Sequence, residues 1–319
     1  MAHKLEIVNG VAKMAYAGEV PWHGLGKEVP ADLSTDQMLK AAELDWEVQK
    51  IPAYSTIDGK KVSVGWSALT RMTDHKVLGV VSNDWNPVQN QDAFDFFSEF
   101  VEAGDMQMHT AGSLDGGRIV WALAKVNDGF TVFKKDTVES YLLFTNPHKF
   151  GQGIDIRFTP IRVVCNNTLT LAINSRSEQV FKQSHRRVFD ANTAKETLGI
   201  ASNKLAKYKE MAEFLGVKKY TEQKLKEYMS SVFPVITQKE QSKKELSKSA
   251  ARAVEIVEAQ PGAEFARGTW WNAFNAVTFL TDHEIGRSND TRLKSAWFGQ
   301  NRNLKIKALE TAVEYANAA

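Results

Sequence analysis

The sequence predicts an α+β protein, in which an N-terminal antiparallel β-meander or mixed sheet with packed helices precedes a mainly α-helical C-terminal region. Between residues 46 and 82, runs rich in β-branched and aromatic residues are separated by the turn-forming stretches DGK and TDHK, which is typical of antiparallel strands. After residue 184, apolar residues recur every three or four positions almost to the end of the chain, which is typical of helices.

Local signals predict the elements of the first half in order. The stretch STDQMLKAAELD predicts a short helix capped by Ser34 or Thr35, because a hydroxyl side chain can accept a hydrogen bond from a free backbone N–H group at a helix start. The three strands of the meander follow. The stretch VQNQDAFDFFSEFVEAG predicts a helix that ends at Gly104. A second hairpin that turns near LDGG and a strand at ESYLLFT complete this half.

The segment 160–174 admits two interpretations. Its β-branched run IRVVC favours a strand, whereas Thr159 followed by Pro160 is a good start for a helix. We expect a helix, since this conformation gathers the polar side chains of the segment onto one arc. The members of that arc are Arg162, Asn166, Asn167, Thr170 and Asn174.

The second half is predicted to be helical. A heptad-like seam of apolar residues runs from Ala191 to Leu215, and helices near 221–232, 239–259, 269–283 and 290–317 follow. The predicted domains are therefore a sheet-centred α+β domain over 1–181 and a helical, basic region over 182–319 that packs back on the first domain.

Charge is distributed unevenly between these two regions. Residues 1–181 hold 17 Lys/Arg and 22 Asp/Glu, a net charge of −5, while residues 182–319 hold 23 and 16, a net charge of +7. A basic region suits an acidic partner such as nucleic acid, although charged helices are also often simply solvated. The basic residues expected to contact phosphates are Arg162, Arg186, Arg187, Lys204, Lys207 and Lys219.

Composition narrows the class of protein. With 43% apolar and 24% charged residues, the chain can bury a core, so disorder is not expected. The one cysteine, Cys165, cannot form an internal disulfide, which favours a reducing compartment. No stretch approaches the roughly 18 apolar residues of a membrane span, and the N-terminus lacks the apolar core of a signal peptide. We therefore expect a soluble, cytosolic protein with no membrane partner.

The stretch RGTWWNAFNAVTFLTDH, residues 267–283, has an unusual polar side. At 100° per residue, one side of a helix holds Trp270, Phe274 and Val277. The other side mixes short polar side chains with aromatic rings: Trp271, Asn272, Asn275, Thr278, Phe279, Asp282 and His283. Aromatic rings stack on bases and amides bind base edges, so Asn166, Trp271 and Asn275 are candidate base contacts. Alternatively, the arc is a buried network that braces this helix against the N-terminal domain.

Catalytic and metal motifs are not found in the sequence. None of the seven histidines belongs to an H-x-x-x-H pair, and there is no C-x-x-C, G-x-S-x-G or P-loop motif. We expect no metal, no cofactor and no catalytic residue. His23 and His148 lie on glycine-containing loops, and we group them with Asn272, Thr278, Asp282 and His283 as polar residues of uncertain role. An enzyme that works through Asp282, His283 and His148 is a third hypothesis.

Five motifs resemble the phage/plasmid-like protein family of unknown function, which is carried by phages, prophages and plasmids. In chain order they are PWHGLG, VSNDWNPVQNQDAFDF, TAGSLDGGRIVWAL, TPIRVVCNNTLTLA and RGTWWNAFNAVTFLTDH. The resemblance implies an accessory protein of a mobile element in a bacterial cytoplasm and brings no catalytic residue. The order of a helix, a β-meander and a long helix is also similar to the core of ring-forming phage single-strand annealing proteins, which hold single strands in a basic groove.

Two functional hypotheses remain. The first is an accessory protein that binds nucleic acid, most simply single-stranded DNA, as a homo-oligomer that assists annealing in recombination or replication; such work needs backbone contacts and stacking but no catalytic group. The alternative is a protein-binding inhibitor of a host defence or restriction system, with the helical half as its interface and the heptad-like seam available for a partner or for self-association.

Overall fold

The computed structural model describes residues 5–18, 24–133, 135–162, 167–168, 180–199, 202–235, 246–286, 291–292, 295–296 and 299–318. The chain divides into two compact units. Unit 1 comprises Met1–Asn127, Tyr141–Phe158 and Ser177–Ile200, and unit 2 comprises Asp128–Ser140, Thr159–Arg176 and Ala201–Ala319. The expected cut after residue 181 lies inside the last segment of unit 1. Sheets and helices are both abundant and the C-terminal region is helical, so the predicted α+β class is confirmed.

The larger sheet of the described residues has eight strands. In sequence they are β3 (Met14–Ala17), β4 (Lys27–Val29), β8 (Met106–Leu114), β9 (Ile119–Val132), β10 (Asp136–Pro147), β11 (Ile154–Arg162), β12 (Asn167–Thr168) and β13 (Val180–Gln183). Their spatial order is β12-β11-β10-β9-β8-β3-β4, with β13 on β11. The division between the units falls within β9, β10 and β11. A two-stranded ribbon, β1 (Ile7–Val8) and β2 (Val11–Ala12), precedes the sheet.

The predicted meander is confirmed as a separate three-stranded antiparallel sheet: β5 (Val48–Ile57), β6 (Lys60–Arg71) and β7 (Lys76–Ser82). Asp58 and Gly59 connect β5 to β6 with φ angles of 49° and 76°. Positive φ at both positions is typical of the two-residue turn whose twist matches a β-hairpin. The register shifts between Pro52 and Tyr54, opposite Gly65, whose φ of 70° suits a bulge.

The helices α1 (Thr35–Ala41) and α2 (Asn90–Glu102) contribute to the apolar core of unit 1. The helix α1 begins with a capping box between Ser34 and Gln37, and α2 ends before Gly104, both as predicted. Buried side chains of α1, α2 and the strands form one apolar cluster, in which Phe94, Phe96 and Phe97 are prominent. The helix α3 (Ala191–Gly199) completes the described elements of this unit.

Unit 2 is built around one helix. Its described helices are α4 (Ser202–Val217), α5 (Glu222–Val232), α6 (Lys248–Ile256), α7 (Trp270–Phe279) and α8 (Gln300–Asn317), with a 3-10 turn at Ala263–Phe265. The helix α7 continues into a π-helical turn at Leu280–Glu284. It packs against α4, α6, α8 and β12, so it is the central helix of the unit.

The helix predicted over 160–174 is wrong where the structure describes it. Strand β11 continues to Arg162, and β12 pairs with it through Ile161–Thr168 and Arg162–Asn167. Pro160 is tolerated because it falls between the stretches of β11 that pair with β13 and with β12. The β-branched run was therefore the better signal. Cys165, Asn166, Thr170 and Asn174 lie outside the described residues.

The heptad-like seam does not form an exposed stripe. Ala194 on α3 is buried in the core of unit 1, while Tyr208, Ala212 and Leu215 on α4 are buried in unit 2. These residues are already packed within their own units, so this part of the seam is not available to a partner. Among the described residues, no helix combines the length and apolarity that crossing a membrane requires.

The capping box of α1 gives a test of the fold. We expect Ser34→Ala to lower the free energy of unfolding by about 1 kcal/mol, because the backbone N–H of Gln37 loses its side-chain acceptor. Chemical denaturation measures the change. Ser55→Ala on exposed β5 is the matched control, with an expected change within about 0.5 kcal/mol. Equal losses in both variants would contradict the capping role.

Candidate nucleic-acid interface

The polar arc of α7 lies inside unit 2. All residues from Trp270 to Thr278 are buried, including Asn272 and Asn275. An α-helix that is buried on all sides cannot present its amides to solvent, so each amide must be satisfied by the protein. The arrangement of partners explains why short polar side chains stand on this helix in place of lysine and glutamate.

Asn272 joins α7 to the end of α6. Its Nδ2 atom donates to the carbonyl of Val257 at 2.9 Å and to Oε1 of Glu258 at 3.2 Å. Its Oδ1 atom accepts from Nε2 of Gln260 at 2.9 Å. The hydroxyl of Tyr220 donates to the same Glu258 carboxylate at 2.7 Å. Both ends of the Asn272 amide are therefore used to hold two helices and the chain between them.

Trp271 and Asn275 also have internal partners. The indole Nε1 of Trp271 donates to Oδ2 of the fully buried Asp136 at 3.1 Å, and its ring makes an edge contact with Tyr208. Nδ2 of Asn275 donates to the carbonyl of Trp271 at 2.8 Å. Neither side chain is exposed, so neither can contact a base in this structure. Of the two predicted roles, burial favours bracing, and the partners that are braced belong to unit 2 itself.

Asp282 and His283 have structural surroundings as well. Asp282 Oδ1 lies 2.7 Å from Nζ of Lys305, and the exposed fractions of these two side chains are 7% and 0%. The ring of His283 lies 4.7 Å from that of Phe279. The hydroxyl of Thr278 donates to the carbonyl of Asn275. An ion-paired carboxylate beside a packed imidazole offers no support for the hypothesis of an enzyme that uses Asp282 and His283, and His148 belongs to unit 1.

The basic residues predicted to contact phosphate fall into three groups. Arg186 and Arg187 are exposed in unit 1, where Nε of Arg186 lies 3.4 Å from a carboxylate oxygen of Asp84. Lys219 is exposed in unit 2 and donates to the carbonyl of Arg267 at 2.6 Å. The side chains of Arg162, Lys204 and Lys207 lie outside the described part of the structure, as do Asn166 and His23.

The strongest candidate surface was missed by the sequence analysis. It is the end of the β5–β6 hairpin, residues 51–66, in which every residue except Ala53 is exposed. We call it the exposed hairpin. Tyr54 and Trp66 have exposed fractions of 59% and 41%, and Trp66 makes an edge contact with the ring of Phe150, which is 60% exposed. A surface that only contacts solvent rarely exposes three aromatic rings of this kind.

The charge of this sheet differs from that of the N-terminal region as a whole. Residues 48–82 contain five Lys/Arg and two Asp/Glu. Arg71 is used internally, since its guanidinium binds Glu6 and Asp74 and lowers the pKa of Asp74 to about 2. Lys60 and Lys61 are exposed directly after the turn. The exposed hairpin therefore combines cationic and aromatic side chains, the chemistry that single strands require.

In the described part of the chain, no group of three or more His, Cys, Asp or Glu side chains is arranged to hold a metal ion. Residues 77–297 match the family described as a domain of unknown function, DUF932. The chain belongs to the DUF932 family. No curated protein and no solved structure is significantly similar to it. In this DUF932 protein, the matched span includes α7 with its polar network, whereas the exposed hairpin precedes the span.

The buried ion pair of this DUF932 protein can be tested directly. Lys305→Met should lower the free energy of unfolding by about 3–5 kcal/mol, because it leaves the carboxylate of Asp282 buried without its cation. Thermal or chemical denaturation measures the loss. Adding Asp282→Leu removes the stranded charge and should restore much of the stability. A double variant less stable than Lys305→Met would contradict this account of the pair.

Proposed function

We propose that this DUF932 protein binds single-stranded nucleic acid, most simply DNA, through the exposed hairpin. We further propose that it serves a phage or plasmid as an accessory protein that assists annealing in recombination or replication as an oligomer. The observation that supports binding is the coincidence of Tyr54, Trp66, Lys60 and Lys61 on one hairpin whose two faces are both open to solvent. The motif resemblance to the phage/plasmid-like family supports the biological setting.

Stacking is the first component of the proposed binding. Every base has an aromatic face, so a tyrosine or tryptophan ring can stack on any of them, at about 1–3 kcal/mol per base. Tyr54 and Trp66 are available for this contact, whereas Trp271 is buried. A surface of this kind binds strands with little sequence preference, as annealing requires.

Electrostatic attraction is the second component. Lys60 and Lys61 sit next to each other after the turn, and Lys50 lies on β5 of the same sheet. Cationic side chains that bind phosphates release counterions from the nucleic acid, which makes the affinity fall as salt rises. The net negative charge of residues 1–181 does not oppose this attraction strongly, because charges beyond about 10 Å are screened at 0.1 M salt.

The aromatic residues give the first test of the proposal. We expect Tyr54→Ala and Trp66→Ala each to weaken binding of an oligothymidylate by about 1–3 kcal/mol, because a stacking ring is lost. Fluorescence anisotropy with a labelled strand measures the affinity. Tyr54→Phe retains the ring and is the matched control, with affinity close to that of the wild type. Equal affinity of Tyr54→Ala and wild type would contradict stacking at this hairpin.

The lysines give a separate test through salt dependence. Replacing Lys60 and Lys61 together by Gln should reduce the slope of log affinity against log salt by about 1.4, given about 0.7 per phosphate contact on a single strand. The same anisotropy titration at several salt concentrations gives the slope. Lys226→Gln with Lys248→Gln, two exposed lysines of unit 2, is the matched double control. A slope that falls equally in both double variants would exclude a specific role for the hairpin.

One observation favours the alternative, a protein-binding inhibitor of a host defence or restriction system. Ile51, Ala68 and Val80 stand opposite one another across β5, β6 and β7, and Ile51 and Val80 are exposed. A row of apolar side chains across a sheet also fits a protein partner. Ile51→Gln with Val80→Gln, which are polar and uncharged, would then abolish inhibition of the defence system, while a strand-binding protein with Tyr54, Trp66 and its lysines intact would keep its affinity for oligothymidylate.

A further inference from the structure

Three polar side chains of unit 1 are anchored along one short segment of chain, Asn86–Asn90. Nδ1 of His185 lies 3.1 Å from the carbonyl oxygen of Asn86, and Nδ2 of Asn146 donates to the carbonyl of Val88 at 2.8 Å. Nε2 of His148 lies 2.9 Å from Oδ1 of Asn90. All three side chains are buried, with at most 1% of each residue exposed.

These hydrogen bonds determine which atoms of the three side chains carry hydrogen. Nδ2 of Asn90 donates to the carbonyl of Leu44 at 2.8 Å, so its Oδ1 is an acceptor and Nε2 of His148 must be the donor. The carbonyl of Asn86 can only accept, so Nδ1 of His185 carries the other hydrogen. In the neutral rings, the lone pairs therefore lie on Nδ1 of His148 and Nε2 of His185.

The remaining atoms of this group are all acceptors. Nδ1 of His148, Nε2 of His185 and Oδ1 of Asn146 are buried, and none of them has a hydrogen-bond partner among the described residues. The carbonyl of Pro147 also interacts with the ring of His185, which connects His185 to the chain between Asn146 and His148. His185 also interacts electrostatically with His148, so the two rings lie near each other. Buried acceptors without donors are costly to leave unsatisfied, and a cation satisfies them.

We propose that His148, His185 and Asn146 bind one divalent transition-metal cation of the zinc class. Neutral imidazole is a preferred ligand of such cations, whereas magnesium and calcium prefer oxygen alone. Histidines that bind metal usually donate their second ring N–H to a carbonyl or carboxylate, which fixes the ring, and both histidines here have such a bond to an amide or backbone oxygen. The proposed ligand set is two imidazole nitrogens and one amide oxygen, so it contains no carboxylate or thiolate.

Aromatic rings lie beside both histidines of the proposed site, and an exposed loop follows one of them. The ring of Trp85 stacks on that of His185 with centroids 4.0 Å apart, and Trp46 lies 5.3 Å from the ring of His148. Aromatic neighbours exclude water and strengthen electrostatic interactions with a cation. His185 is followed by the exposed residues Arg186, Arg187 and Val188, so its cover is a surface loop whose local opening would admit an ion.

Two substitutions remove the proposed ligand atoms and keep the anchoring bonds. In His148→Gln, the amide nitrogen can replace Nε2 as donor to Asn90, and in His185→Asn it can replace Nδ1 as donor to Asn86; neither new side chain offers the lone pair of the lost ring nitrogen. The whole chain, first treated with a chelator, is titrated with Zn²⁺ alone by calorimetry and with Co²⁺ alone by visible absorption. His75→Gln, at an exposed turn, is the control for binding to surface histidines.

We expect the wild type and His75→Gln to bind one Zn²⁺ per chain, to unfold at a higher temperature with Zn²⁺ present, and to give a Co²⁺ absorption band. Each ligand variant should bind Zn²⁺ at least about 10–100-fold more weakly, as even loss of an outer partner costs that much. Circular dichroism confirms that the variants are folded. The proposal is overturned by a wild type that binds neither ion, or by folded ligand variants that retain wild-type affinity. Binding lost only in His75→Gln would also overturn it.

Discussion

Because α7 is buried at the centre of unit 2, the hydrogen bonds of its polar side chains are made within that unit. An unsatisfied buried amide lowers the free energy of unfolding by about 1–3 kcal/mol, so the amides of Asn272 and Asn275 need hydrogen-bond partners nearby. Asn272 meets this demand by binding the end of α6, and Trp271 by binding Asp136 at the start of β10. The buried pair of Asp282 and Lys305 extends the same arrangement to α8. These hydrogen bonds and this ion pair therefore hold the end of α6, the start of β10 and α8 close to α7 and the turn that follows it.

This constraint also decides where binding chemistry can be found. Residues committed to the network of α7 cannot contact a nucleic acid without opening unit 2. The exposed hairpin has the opposite character, because its residues have neither a buried face nor a dense set of internal partners. Stability and the proposed binding are thus assigned to different parts of the chain, and a substitution in one should leave the other nearly unchanged.

The sequence predicted the elements whose signals are local. The Asp58–Gly59 turn, the cap at Ser34 and the end of α2 before Gly104 were all found, because each depends on a few neighbouring residues. Pro160 misled the prediction, since its place on β11 depends on which strands pair beside it, a non-local fact. The choice of a candidate binding surface also depends on non-local facts. Whether Trp271 or Trp66 is exposed depends on tertiary packing, and the negative charge averaged over 1–181 concealed the basic sheet within it. Two adjacent lysines directly after the turn that joins strands of 10 and 12 residues were the signal that could have located the exposed hairpin.

The central claim is that single strands bind the exposed hairpin and leave α7 buried. Hydrogen–deuterium exchange of the full chain, with and without a saturating oligothymidylate, tests it most directly because peptides from both regions are followed in one experiment. The account predicts slower exchange in residues 51–66 when the strand is present, and unchanged exchange in Trp270–Phe279. Slower exchange confined to α7 and its neighbours, with residues 51–66 unaffected, would contradict it.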